Sequence, residues 1–477
     1  MKNAPLLALI PLVAASCAVN PVTGERELML VSESQEIAMG QQYDPQVVAA
    51  FGIYPDSSVQ AYVRGIGDRM AAVSERPHLP WTFRVVDDPL VNAFAVPGGF
   101  IYITRGIMVH LNSEAELASV LGHEIGHVTA RHSAQQMTQQ QLAQVGLVAG
   151  AVLVPQASDY LGVAGAGLQL LFLKFGRDDE EQSDDLALRY MSRTGYDLRE
   201  SPDVYEMLRT VSAVSGGGSV PTWLSTHPDP ENRRERIQQQ IDTMPPVPDA
   251  TVNRVEYLER LDGMVYGANP REGFFRDNVF MHPDLAFRMD FPTGWQTANS
   301  KQAVAAQSPD EDAVLRITVA DASSPRAAAN ALLEREGISG GPVRTGAING
   351  LDAAVTEFSA LNDDGTTLRG LAGFVAHGDL VYWVLGLTVA QRWNAYRPVF
   401  QQSFGSFQRL TDRSAFAVQP LRLEIVRLPS SMTLREFSER YPSQVPLERL
   451  ELLNQAYADQ TLPRGSLVKR VVGGPLP

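Results

Sequence analysis

The chain has 477 residues, 54 acidic against 40 basic, and a formal net charge of −14. That balance argues against a nucleic-acid partner, and the length allows about three domains. An apolar fraction of 44% is that of an ordinary globular protein, and a single cysteine excludes any internal disulfide.

Taken in chain order, Met1-Lys2 and the apolar run from Pro5 to Ala15 read as a secretory signal, too short to span a membrane. Ala14-Ala15-Ser16-Cys17 resembles a bacterial lipobox, with Ala14 where leucine is usual. Residues 1–17 are therefore expected to be a signal peptide, with Cys17 lipidated and anchored by acyl chains. Ala18 carries no inner-membrane retention signal, which points to an outer-membrane anchor facing the periplasm. Further on, Asn92-Ala93-Phe94-Ala95-Val96-Pro97-Gly98-Gly99 reads as a strand and a turn.

Ser113 and Glu116 have the spacing of a capping box and predict a helix start. Leu117, Val120, Leu121, Ile125 and Val128 then recur at helical spacing. That helix carries His123-Glu124-Ile125-Gly126-His127, an H-E-x-x-H motif. Histidines four apart share a helical face and can reach one metal ion, with Glu124 beside them as a base. The bland alternative, two core histidines satisfied by hydrogen bonds, would bury costly polar groups to no purpose. A catalytic zinc site needs a third protein ligand. Within Arg177-Asp178-Asp179-Glu180-Glu181-Gln182-Ser183-Asp184, spacing alone leaves Glu180, Glu181 and Asp184 as rivals, and an acidic run also suits a solvated helix start. Between the two segments, Val145 to Val154 and Leu161 to Phe172 form apolar stretches too short to span a membrane; they read as a buried or membrane-facing helical pair.

These residues resemble the HtpX/BepA-type family of gluzincin metallopeptidases, which pairs H-E-x-x-H with a later R-x-x-E-x-x-A-D segment. Here Ser183 stands where alanine is usual. The resemblance covers about residues 20–240. It implies Glu180 as third ligand and Asp184 as acceptor from the outer N–H of a ligand histidine. It also implies that Asn92, Ala93, Phe94 and Ala95 form an edge strand able to take an extended substrate by strand addition. Thr226-His227-Pro228-Asp229-Pro230-Glu231-Asn232-Arg233 resembles the family's H-P-x-x-x-x-R segment. It would bring His227 to the metal, as a cap on the resting zinc or as an oxyanion stabiliser, with Arg233 in support. Without the family, His227 reads as a surface turn residue. His282-Pro283 lacks the arginine and is taken as a decoy.

Met244-Pro245-Pro246-Val247-Pro248 marks a domain boundary, and Val255 to Asp262 reads as a short helix. Leu285 to Phe291, Ala313 to Val319, Ala353 to Phe358, Leu368 to Ala376 and Leu380 to Val389 read as strands, with helices at Pro325 to Glu336 and Gln391 to Phe404. Phe291-Pro292-Thr293-Gly294-Trp295 faintly resembles the opening of PsbP-like domains. The last residues read strand, helix, helix, strand: Leu421 to Leu428, Thr433 to Tyr441, Pro446 to Asn454 and Leu467 to Val472. That order resembles a LysM module, although Ser431-Met432-Thr433-Leu434 departs from its G-D-T-L.

The expected architecture is multidomain α+β. A mainly α-helical zincin-type protease domain spans 18–245 and a linker 246–270. An α+β antiparallel-sheet domain follows at 271–412, and a small βααβ LysM-like module at 413–477. The resemblance implies a periplasmic endopeptidase with one zinc per chain, acting on misfolded or stalled envelope proteins. The alternative is a non-proteolytic envelope chaperone or peptidoglycan-associated scaffold that keeps a zinc site.

Overall fold

The computed structural model describes residues 17–147, 174–214, 223, 226–227, 230–361 and 365–474. The expected signal peptide, apart from Cys17, lies outside them, as do Pro228, Asp229 and the apolar stretch beyond Leu147. No helix among the described residues is long and apolar enough to cross a membrane. The fold is mixed, with a helical region followed by a sheet-rich one. Two compact units emerge: one takes in the chain to Ala268 and again Leu421–Gly473, the other Asn269–Pro420.

In the first unit, β1 (Cys17–Val19) pairs with β2 (Arg26–Leu28). Helix α1 (Glu33–Phe51) starts at a Ser32/Gln35 capping box, and α2 (Ser57–Ala71) at Asp56. A three-stranded sheet follows in the order β3 (Thr82–Val86), β5 (Phe100–Thr104), β4 (Ala93–Val96). β3 runs parallel and β4 antiparallel to the central β5, so β4 is an edge. The turn from β4 to β5 requires glycine: Gly98 has φ +87°, and a Cβ there would meet the Glu36 carbonyl oxygen at 2.6 Å.

Helix α3 (Glu114–Ala130) is buried along its whole length. Ser113 Oγ accepts from the Glu116 N–H, but the reciprocal half of the expected capping box is absent. The Glu116 carboxylate instead accepts from the Asn112 N–H at 2.7 Å and from Gln455 Nε2 at 3.1 Å. Helix α4 (His132–Leu147) follows, and α5 (Arg177–Arg193) packs along α3. Gly122 and Gly126 let them approach: a Cβ on Gly126 would lie 3.0 Å from Ser183 Cα, and one on Gly122 would lie 3.1 Å from Ala187 Cα. Helices α6 (Ser201–Val214), α7 (Pro230–Thr243) and α8 (Arg254–Leu261) complete this stretch. Tyr257, Leu258 and Leu261 of α8 belong to the same core as α3, within the span expected to be a linker. Strand β6 (Val265–Tyr266) ends it.

The second unit opens with β7 (Phe274–Arg276), β8 (Val279–His282) and β9 (Phe287–Asp290), to which β18 (Gln408–Arg409) adds. Its main feature is an eight-stranded antiparallel sheet of β10 (Gln296–Asn299), β11 (Ala303–Gln307), β12 (Ala313–Ala320), β13 (Ile338–Gly340), β14 (Arg344–Ile348), β15 (Leu351–Leu361), β16 (Thr367–His377) and β17 (Leu380–Val389). Helix α9 (Pro325–Leu333) covers one face. On the other, α10 (Trp393–Gly405) sets Phe400 against Gly386 and Phe404 against Gly373.

The chain then returns to the first unit as β19 (Leu421–Arg427), α11 (Leu434–Arg440), α12 (Leu447–Asn454) and β20 (Leu467–Val472). This is the expected βααβ order, but not a separate body. β19 pairs with β20 on one side and with β6 on the other. Leu421, Leu423, Leu452, Leu453, Leu467 and Val471 share one core with Leu117 and Val120 of α3. Lys469 is fully buried, and its ammonium donates to the Val109 and Leu111 carbonyls at 2.9 and 2.5 Å. Asn112 Nδ2 donates to the Leu453 carbonyl at 3.2 Å. Hydrophobic pairing therefore carries this segment onto the loop leading into α3.

Candidate metal centre

Helix α3 presents His123 and His127 on one face, and the close approach at Gly122 and Gly126 brings Glu180 of α5 against them. One donor atom from each of His123, His127, Glu180 and His227 lies within 4.8 Å of all the others, and all four side chains are buried. His123 Nε2 is 3.0 Å from His127 Nε2 and 3.2 Å from His227 Nδ1. Glu180 Oε1 is 2.8 Å from His227 Nδ1 and 3.5 Å from His127 Nε2. Donors on a tetrahedral zinc with bonds of ~2.0–2.1 Å stand about 3.3 Å apart. The set fits such an ion in spacing and in chemistry, since it is three imidazoles and one carboxylate.

The outer nitrogens decide which lone pairs face inward. His123 Nδ1 lies 3.0 Å from Asp184 Oδ1, which also accepts from Tyr205 OH at 2.6 Å. That leaves Nε2 of His123 for the centre. His132 Nε2 contacts Gln182 Oε1 at 2.8 Å, and its Nδ1 contacts His127 Nδ1 at 2.9 Å. With the amide oxygen accepting from Nε2, His132 Nδ1 carries a lone pair and accepts from His127, again leaving Nε2 inward. Phe175 stacks on His127 at 4.1 Å and Trp223 on His227 at 4.7 Å, which fixes both ring planes.

Arg233 locks the carboxylates. It donates to Asp184 Oδ1 and Oδ2 at 2.6 and 2.9 Å and to Glu180 Oε2 at 2.5 Å, while lying over the Tyr205 and Trp223 rings. Burial alone would raise both acids; His227 and Arg233 outweigh it at Glu180, and Arg233 and His123 outweigh it at Asp184, so both stay well below the ordinary range. Burial lowers the His123 pKa, but Asp184 and Glu180 bring it up to about 9. Burial holds His127 well below the ordinary histidine value. Of the acidic rivals, Glu181 pairs instead with Arg177 and Arg236, away from the four donors.

Glu124 is 1% exposed, and its Oε1 has no hydrogen-bond partner among the described residues; His227 Nε2 lies 3.7 Å away. A buried carboxylate oxygen without a hydrogen-bond partner is uncommon. β4 packs against α3. Asn92 N and O both engage Thr104, so the antiparallel alternation turns the backbone groups of Ala93 and Ala95 to the other edge of β4, where they have no backbone partner among the described residues. The Trp223 N–H reaches the Val91 carbonyl at 3.4 Å, at the end of that edge. His282, the expected decoy, lies in the second unit, where its Nδ1 accepts from the Leu285 N–H.

Tyr205, Trp223, His132 and Phe175 were not anticipated from the sequence. His132 follows His127 by five residues, off the helical face. Only the left-handed Arg131 that ends α3, with φ 65°, turns it back onto His127. Tyr205 and Trp223 arrive through tertiary packing and carry no local signal.

Residues 57–241 match the family model for peptidase family M48. A beta-barrel assembly-enhancing protease from Yersinia pestis is 33% identical over 251 residues, 50% of this chain and 50% of that one. The mitochondrial metalloendopeptidase OMA1 from Schizosaccharomyces pombe is 31% identical over 240 residues, 49% of this chain and 67% of its own length. The chain spans about half the length of the bacterial relatives it matches. Among solved structures, cyanobacterial PsbP from Synechocystis aligns with 28% of this chain and 95% of its own at 14% identity and a TM-score of 0.24, too low to carry an argument.

Proposed function

The chain belongs to peptidase family M48, and from that premise we propose that it is a zinc-dependent endopeptidase of the bacterial cell envelope. The observation that carries the reading is the open Glu124 Oε1 beside the converging donors of His123, His127 and Glu180. Those three side chains would hold the ion. When bound, zinc would supply Lewis acidity toward a water molecule and the scissile carbonyl. Glu124 accepts the attacking water's proton at Oε1 and delivers it to the leaving amine. Asp184 holds His123, and His132 holds His127, in the tautomers that keep Nε2 inward. Arg233 keeps Glu180 and Asp184 ionised. The β4 edge at Ala93 and Ala95 pairs with an extended substrate backbone.

Substrates are unfolded or misassembled envelope proteins, whose backbone is free to lie extended along that edge. The name of the Yersinia relative supports outer-membrane β-barrel proteins as the class. Cys17 would be the lipid anchor, facing the periplasm. His227 makes a fourth donor, and a site with four protein ligands is closed to substrate. His227 would therefore be a removable cap that later steadies the oxyanion.

The closed donor set also favours a second reading, a scaffold or chaperone with a structural zinc. Zinc content and casein hydrolysis of the purified chain, beside Glu124→Gln and His227→Ala, separate the two. One zinc per chain, with activity lost in Glu124→Gln, supports the peptidase. Bound zinc with no activity in the native chain or in His227→Ala gives the scaffold.

A further inference from the structure

The eight-stranded sheet of the second unit carries a cavity of about 530 Å³ on the face covered by α9, within the usual size range of ligand pockets. Its lining is built by strand alternation. Leu315 and Ile317 of β12 point into the core on the opposite face, which turns Arg316 and Thr318 toward the cavity. Thr318 lies opposite Trp383, and Trp383 opposite Phe374, so all three share this face. The Phe374 and Trp383 rings stack at 5.8 Å, and the Arg335 guanidinium lies over the indole at 5.7 Å. Leu332, Ala328 and Ala331 of α9 supply an apolar wall.

Two donors here are out of place. Arg316 Nε and Trp383 Nε1 are both shielded from solvent, and neither has an acceptor among the described residues. Buried donors are almost always paired. Neither Arg316 nor Arg335 has a carboxylate partner among the described residues, and burial pushes the Arg316 pKa down. The other charged groups at the rim are Lys301, which is paired with Glu272, and the carboxylate of Asp321. Among the described residues, two guanidiniums without a carboxylate partner against one carboxylate leave the cavity positive.

We propose that this cavity is a binding site for an amphiphilic oxyanion, a carboxylate or phosphate head on an apolar tail. The head accepts from Arg316 Nε and Trp383 Nε1, and the tail lies along the α9 wall. Neither the peptidase centre nor its substrate strand enters this assignment, so the site is a second ligand function of the chain.

Calorimetric titration of the full chain with dodecanoate, below its micelle concentration, tests it. One saturable site is expected. Arg316→Met and Trp383→Phe should each weaken it, the arginine change by about tenfold or more. Trp383→Phe keeps the aromatic wall and loses only the N–H, so it serves if Arg316→Met fails to fold. Dodecanol should bind at least about tenfold more weakly than dodecanoate, because it brings no charge to the guanidinium. Inorganic phosphate should also be weak, because it fills none of the apolar wall. Dodecyl phosphate binding like dodecanoate fits the shared head chemistry. The assignment is overturned by no saturable dodecanoate binding, by dodecanol binding equally well, by phosphate alone matching dodecanoate, or by affinities unchanged in the variants.

Discussion

Replacing Gly126 with alanine tests whether the α3–α5 contact sets the metal centre. In an unhindered helix the change is favourable by about 1 kcal/mol, because glycine costs backbone entropy. At Gly126 the new methyl would lie 3.0 Å from Ser183 Cα and 3.1 Å from the Ser183 carbonyl oxygen. Both are backbone atoms, so α5 itself must retreat by a few tenths of an ångström. Overpacking of this kind costs ~1–3 kcal/mol, and the net is a loss of ~0–2 kcal/mol once propensity is credited. The larger effect falls on the site, because α5 carries Glu180 and Asp184. Zinc affinity, read by competition with a chelator, should fall about tenfold or more, as it does when supporting groups are disturbed. Gly65→Ala on α2 is the control, since its nearest neighbour would be Arg69 Nη1 at 3.8 Å. It should stabilise by about 1 kcal/mol and leave zinc binding alone. If Gly126→Ala behaves like Gly65→Ala in both assays, the helix contact does not position the ligands and the reasoning fails.

Arg233→Met strips the buried cation from Glu180 and Asp184. The metal-free chain should lose about 3–5 kcal/mol in denaturant titration, with a smaller loss when zinc is present. His132→Phe keeps the volume but removes the acceptor for His127 Nδ1; zinc should dissociate about 10- to 100-fold more readily. His110 is fully buried, with Nδ1 at 2.8 Å from the Gly106 carbonyl, and burial pushes its pKa down to about 4. A folded-state value below the unfolded one gives stability that is present above pH ~6.5 and is lost as pH falls through ~4. His110→Asn should flatten that limb, worth ~3 kcal/mol in all, in a pH series of unfolding free energies. Ending the chain after Pro420 should abolish cooperative folding of the first unit. A stable, zinc-binding truncation would restore the independent module that the sequence suggested.

The parts of the site that were legible in the sequence sit on single helices. His123, Glu124 and His127 needed only the 3.6-residue period, and Glu180 and Asp184 needed the same period plus a family pattern to choose among neighbouring acids. The surroundings of Ser183 became visible only with the packing, where its backbone lies against Gly126 and its hydroxyl is 3.4 Å from His132 Nδ1. His132 was hidden because one left-handed residue breaks the helical face. The second unit's strands were readable where branched and aromatic residues alternate, as in β12, β15, β16 and β17. They were missed in β10, β11, β13 and β14, whose alanine, glycine and polar content carries no strand signal. Lys469 illustrates the general limit. In sequence it is a surface lysine on a short strand, and nothing local says that it will be buried under two loop carbonyls.

The bond from Lys469 to Val109 spans 360 positions. The loop that launches the H-E-x-x-H helix is thus tied down by residues made long after it. A nascent chain that has already emitted His123, Glu124 and His127 still lacks Leu453, Gln455 and Lys469, and contacts of such sequence separation form slowly. A chain that stops before Lys469 therefore lacks the bonds that tie down this loop.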